Sequence, residues 1–145
     1  MTKRSILCLV MAIFMVFTLV GCSKGVQIAT DLGGFHVIHA SFMDSYDTMN
    51  ASSGNTLLVV RMTADTEFDE TRFKSHFAAE DGSSAIKAAV GGTEYACKAV
   101  AYQGKANSEK IEYVLVFEVA SAATTYTSFA LTPPNQPPVT IEVNK

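Results

Sequence analysis

The sequence has no surplus of positive charge. Among its 145 residues, 11 are Lys or Arg and 14 are Asp or Glu, which gives a formal net charge of −3. Proteins that bind a nucleic-acid backbone normally carry a basic excess or a basic patch. We therefore expect no nucleic-acid partner. The apolar fraction of 48% argues against a disordered chain, and the length suits a single domain.

The sequence also has no hydrophobic run long enough for a typical membrane-spanning helix. The uncharged apolar run from Ile6 to Val20 is shorter than the about 20 residues that such a helix needs. It follows Lys3 and Arg4, and this order of a positive segment and a short apolar segment is typical of a signal peptide. The run ends in Leu19-Val20-Gly21-Cys22, which resembles the lipobox of bacterial lipoproteins.

The lipobox resemblance implies a processing site and a location. Cleavage would fall between Gly21 and Cys22, and the Cys22 thiol would carry a diacylglyceryl group. Two or more acyl chains anchor a protein stably to a bilayer. We therefore expect a lipoprotein signal peptide at 1–21 and a lipidated cysteine with a short tether at 22–32. The protein would lie on the extracytoplasmic face of the cell membrane, or on the outer membrane in a host with two membranes.

Cysteine is scarce in the part that would remain after cleavage. Cys8 would leave with the signal peptide and Cys22 would be lipidated, so only Cys97 is left and no intrachain disulfide can form. Cys97 lies on the apolar face of an alternating segment. We expect a buried, unreactive thiol there.

The body of the chain has no long helical period and no internal repeat, and its apolar residues alternate instead. The broken segment at 68–79 could form a helical turn, because Phe73 and Phe77 are four residues apart. The pattern predicts about seven or eight short strands, which is typical of an all-β sandwich. The predicted strands are 35–42, 56–64, 84–90, 94–102, 110–120, 126–132 and 139–143.

Three stretches of this body resemble a known family. They are Leu57-Leu58-Val59-Val60-Arg61-Met62-Thr63, Ala79-Glu80-Asp81-Gly82 and Tyr113-Val114-Leu115-Val116-Phe117-Glu118-Val119. They resemble an immunoglobulin-like domain of unknown function that is common in lipid-anchored surface proteins of Gram-positive bacteria. The resemblance implies an immunoglobulin-like antiparallel β-sandwich over 33–145. It implies no catalytic or binding residues.

Two groups of residues are candidates for metal binding. His36 and His39 are three positions apart, and in a regular strand this spacing predicts opposite faces, so they should not share an ion. Met43 lies nearby, and thioether with imidazole suits copper(I). We favour surface histidines over a copper site.

The acidic segment Asp65-x-Glu67-x-Asp69 resembles the start of a calcium loop. An EF-hand loop needs glycine at its sixth position and glutamate at its twelfth, but this chain has Glu70 and His76 there. A looser surface calcium site could use Asp65, Glu67, Asp69 and Glu70. We favour a solvated acidic loop.

The sequence contains no catalytic motif. It has no G-x-S-x-G nucleophile elbow and no glycine-rich phosphate loop before a helix. We therefore expect a non-enzymatic binding or interaction module that has no cofactor and is attached to the membrane through Cys22. Its partner would be an envelope protein or a small ligand. The alternative is a surface lipoprotein that handles calcium or copper.

Overall fold

A computed structural model of the chain describes residues 25–78, 86–103 and 111–144. This part of the chain is an all-β fold with antiparallel strands and one α-helix of two turns, α1 (Glu70–Phe77). A short 3-10 helix spans Ser121–Thr125. The strands are β1 (Val26–Thr30), β2 (Gly33–Met43), β3 (Ser45–Tyr46), β4 (Met49–Asn50), β5 (Asn55–Ala64), β6 (Lys87–Val90), β7 (Thr93–Ala96), β8 (Ala99–Gln103), β9 (Glu112–Ala120), β10 (Ser128–Thr132) and β11 (Val139–Glu142).

The strands form two main sheets and one small hairpin. The five-stranded sheet has the order β1-β2-β5-β9-β8, and the four-stranded sheet has the order β11-β10-β6-β7. Strands β3 and β4 pair only with each other. All the described pairings are antiparallel.

Both sheets contribute side chains to one hydrophobic core, because successive side chains of a strand point to opposite faces of its sheet and one face of each sheet is apolar. Leu58 on β5 and Phe117 on β9 are fully buried, and they pair across the five-stranded sheet. Phe129 and Leu131 on β10 enter the same core from the other sheet. The predicted strands 56–64, 84–90 and 110–120 each place every second apolar residue in this core.

The other face of the five-stranded sheet has a smaller apolar cluster. Four fully buried residues form it: Leu57, Val59, Val114 and Val116. The β3–β4 hairpin and its flanks cover them with Met43, Tyr46, Met49 and Ala51. Strand β9 lies between β5 and β8 and is buried on both faces, in keeping with the apolar residues on both sides of its sequence.

The helix α1 brings an aromatic cluster to one end of the core. Asp69 caps its N-terminus, with a side-chain oxygen that accepts a hydrogen bond from the Arg72 amide at 2.8 Å. The segment is helical from Glu70 to Phe77, and Phe73 and Phe77 are its buried residues. The helical alternative for this segment is therefore correct. The rings of Phe35, Phe68 and Tyr113 complete the cluster.

The structure differs from the predicted pattern at two places in the chain. The predicted strand 94–102 is interrupted at Cys97 and Lys98, and its halves, β7 and β8, belong to different sheets. The sequence predicts a tether over 22–32, whereas Val26–Thr30 forms an edge strand with Ile28 buried. The family-like stretch Ala79-Glu80-Asp81-Gly82 lies outside the described residues.

Candidate functional site

A β-bulge in β2 brings two histidines to one face of the five-stranded sheet. His36 pairs with Thr63 and His39 with Arg61, and the register shifts between Val37 and His39. Thr63 and Arg61 are two residues apart on β5, so they share a face, and their cross-strand partners share it too. Our expectation that the histidines lie on opposite faces is therefore wrong. The extra residue, Ile38, restores their alignment.

His36 is held by the acidic segment that follows β5. Its Nε2 lies 2.7 Å from Oδ1 of Asp65. Asp65 can lie over β2 because residue 34 is glycine: a Cβ on Gly34 would be 2.4 Å from the other carboxylate oxygen of Asp65. The other ring nitrogen of His36, Nδ1, is buried and has no hydrogen-bond partner in the part of the chain that the structure describes.

An ion pair lies on the same face of the sheet. Arg61 donates from Nε to Glu112 at 3.0 Å and from its terminal nitrogen at 2.7 and 2.8 Å, which is a two-pronged guanidinium–carboxylate contact. Sequence reasoning did not identify this pair, because its members are 51 positions apart. We call this surface the outer polar face; it consists of His36, His39, Ser41, Arg61, Thr63 and Glu112.

The outer polar face has further hydrogen-bonding capacity. The hydroxyl oxygen of Ser41 is buried and finds no partner among the described residues. Ser41 is two residues after His39 and therefore lies on the same face of β2. It pairs with Val59, which belongs to the apolar cluster under the β3–β4 hairpin. This face therefore combines imidazole, hydroxyl and guanidinium groups, which is a combination that can bind a polar ligand or a protein loop.

The structure places the four predicted calcium ligands along one short segment. Asp65 contacts His36, Asp69 caps α1, and Glu70 forms an ion pair with Lys74 on the same helix. Glu67 is exposed between them. Among the described residues, no group of three or more His, Cys, Asp or Glu side chains is arranged to hold a metal ion. The described contacts of Asp65, Asp69 and Glu70 are with other protein groups.

Two titratable side chains outside this face have shifted pKa values. Burial lowers the pKa of His76 below its usual 6.5, Arg72 adds to this effect, and Asp31 opposes it. Glu118 accepts hydrogen bonds from Lys98, from the Ser52 amide at 2.7 Å and from the Asn55 side chain at 3.2 Å. These bonds, that from Lys98 above all, lower the pKa of Glu118 from 4.5 to about 2.

Cys97 lies in the core, with 8% of its surface exposed. Its thiol lies 3.8 Å from the carbonyl oxygen of Val116. This burial agrees with the expected unreactive thiol.

The predicted cleavage and lipidation residues, Gly21 and Cys22, lie outside the described residues. No helix in the described ranges is long and apolar enough to cross a membrane.

No protein-family model, curated protein or solved structure matches this chain.

Proposed function

We propose that this chain is a lipid-anchored binding module on the extracytoplasmic face of a bacterial cell envelope. The observation that carries the proposal is the position of Cys22. It ends a lipobox-like sequence after a short apolar run, and the first strand begins four residues later, at Val26. An anchor directly before a folded domain is the arrangement expected of a surface lipoprotein.

We propose further that the folded part is an immunoglobulin-like β-sandwich. Two antiparallel sheets with one shared core support this assignment. Such sandwiches commonly serve as scaffolds for recognition. The outer polar face is the surface that we assign to binding, because it groups imidazole, hydroxyl and guanidinium side chains on a rigid sheet. Its partner would be an envelope protein or a small ligand.

The anchoring part of the proposal is tested with Cys22→Ala in the full chain. The native chain should enter the membrane fraction of a lipoprotein-processing bacterium, and its intact mass should include a diacylglyceryl group. The Cys22→Ala chain should keep its signal peptide and lack the lipid mass. A native chain without any lipid mass would contradict the proposal.

The binding part is tested by capture from crosslinked envelope extract with the lipidated full chain as bait. A partner should be enriched by the native chain and at least about tenfold less by His39→Ala, a change of about 1.4 kcal/mol in binding free energy. Thr93→Ala is the matched control, because Thr93 is exposed on β7 of the other sheet. Equal enrichment by all three chains would exclude the outer polar face.

Metal handling is the second candidate function. It has one supporting observation, the shared face of His36 and His39. Against it, the Asp65 carboxylate already contacts His36, and Arg61 adds positive charge next to His39 in the cross-strand pair. Titration calorimetry of the full chain with calcium and with copper(I) tests this candidate, and Asp65→Asn is the variant to compare.

A further inference from the structure

Strand β1 is one edge of the five-stranded sheet, and neither β1 nor the neighbouring β2 carries an acidic or basic side chain other than histidine. Neither strand contains Lys, Arg, Asp or Glu. The whole chain has 11 basic and 14 acidic residues of these types. In the described part of the chain, β1 pairs only with β2, so its other side is a free edge. Soluble proteins usually protect such edges with charged side chains, bulges or a covering segment.

The same edge exposes apolar side chains. Three large hydrophobic residues are exposed in the described ranges, and two of them, Val26 and Ile38, lie here, at 37% and 43% exposure. Val26 pairs with Val37, the neighbour of Ile38 in sequence. Ile38 is the extra residue of the β2 bulge, so the irregularity that aligns the histidines also places an apolar side chain at the surface.

The chain enters the fold at this edge. Gly25 has a φ of +78°, and a Cβ at this position would be 2.1 Å from the carbonyl oxygen of Val37. Only glycine fits this close approach, so the entering chain is packed directly against β2. Cys22 is four residues from Val26, and at about 3.5 Å per residue it can be at most about 14 Å away.

We infer that the apolar edge around Val26 and Ile38 contacts the phospholipid surface in the anchored protein. This inference rests on the proposed lipidation of Cys22, which would hold the edge within reach of the bilayer. Loss of Lys3 and Arg4 makes the domain more negative than −3, so attraction to anionic lipids does not orient it. Contact of the apolar side chains with the bilayer surface orients the domain instead. This contact stays at the level of the headgroups, because the unpaired backbone groups of a free sheet edge are excluded from the hydrocarbon interior.

The chain contains no tryptophan, so a single introduced tryptophan is a specific reporter of this contact. We would reconstitute the lipidated full chain, with Ile38→Trp or Val26→Trp, into phosphatidylethanolamine and phosphatidylglycerol vesicles that contain brominated acyl chains. Thr93→Trp is the control. Thr93 lies on β7, at one edge of the four-stranded sheet, whereas β11 at the opposite edge lies near β2. Circular dichroism checks the fold of each variant, and position 26 reports independently if the change at 38 disturbs folding.

Quenching by brominated lipid should be at least about twofold stronger at positions 26 and 38 than at position 93, since interfacial side chains lie about 5–10 Å into the headgroup boundary. Equal, weak quenching at all three positions in a lipidated, vesicle-bound chain would overturn the inference. So would a reporter at 38 that is shielded from aqueous iodide but not quenched by lipid, because a protein partner would then cover the edge. Absence of lipid mass on Cys22 would overturn the proposed function, and the inference with it.

Discussion

At the scale of single residues, Glu118 shows how local hydrogen bonds set a protonation state. Its carboxylate accepts bonds from Lys98, Ser52 and Asn55, and its pKa falls from 4.5 to about 2. A carboxyl with a lower pKa in the folded state contributes stability that is fully present above about pH 4.5. This stability is lost as the pH falls through about 2.

We predict that the Glu118 carboxyl titrates near pH 2 in the native protein and closer to 4.5 in Lys98→Met. Carboxyl-carbon NMR measures both values directly. Lys98→Arg should keep the low value, because a guanidinium can donate the same bond. A native midpoint near 4.5 would contradict the described contacts.

The residues of the candidate site were only partly predictable from sequence. The sequence identified His36, His39 and Asp65 as polar candidates, but it did not predict how they are arranged in space. The contact between His36 and Asp65 joins positions 29 apart, and it depends on the absence of a side chain at Gly34. The bulge at Ile38 has no local signal either, because neither glycine nor proline is present to indicate it. Counting residues along a regular strand therefore gave the wrong faces for the two histidines.

At the scale of secondary-structure elements, the long apolar strands were predicted correctly, but the break inside the predicted strand 94–102 was not. The strands β5 and β9 contain continuous apolar runs, Leu57–Val60 and Tyr113–Phe117, which are buried on both faces of the sheet. The segment from Tyr95 to Ala101 alternates like a single strand, yet it divides at Cys97 and Lys98. The Lys98 amide donates to the Val116 carbonyl of β9 at 2.9 Å. Tertiary pairing decided this break, because the sequence has no turn residue there.

Tyr113 joins β9 to the segment before α1. Its hydroxyl oxygen accepts a hydrogen bond from the buried Phe68 amide at 2.8 Å and donates to the Phe68 carbonyl at 3.2 Å. We predict that Tyr113→Phe lowers the free energy of unfolding by about 1–3 kcal/mol, because it leaves buried backbone groups without a partner. Urea denaturation measures the change.

Tyr95→Phe is the matched control for this prediction. The Tyr95 hydroxyl accepts a longer, exposed bond of 3.4 Å from the Ala120 amide. Its loss should change the free energy of unfolding by no more than about 0.5 kcal/mol, since water replaces the partner. Equal losses in the two variants would show that the Tyr113 bond does not secure the segment.

At the scale of the whole molecule, the two sheets depend on each other through their common core. Side chains from β2, β5 and β9 meet those from β6, β10 and β11 in one cluster. The small cluster under the β3–β4 hairpin uses only the other face of the five-stranded sheet and its cover. A defect in the common core should therefore affect both sheets, whereas the hairpin can open without separating them.

Phe117 tests this dependence, because it is fully buried in the common core. We predict that Phe117→Ala lowers the free energy of unfolding by about 3–5 kcal/mol, from lost burial and the cavity left behind. Amide hydrogen exchange should then accelerate to the same extent in β9 and in β10 of the opposite sheet, since both open in one cooperative step. If the amides of β10 keep their native protection from hydrogen exchange while those of β9 lose it, the two sheets unfold separately. That result would contradict the prediction that the shared core makes them unfold in one step.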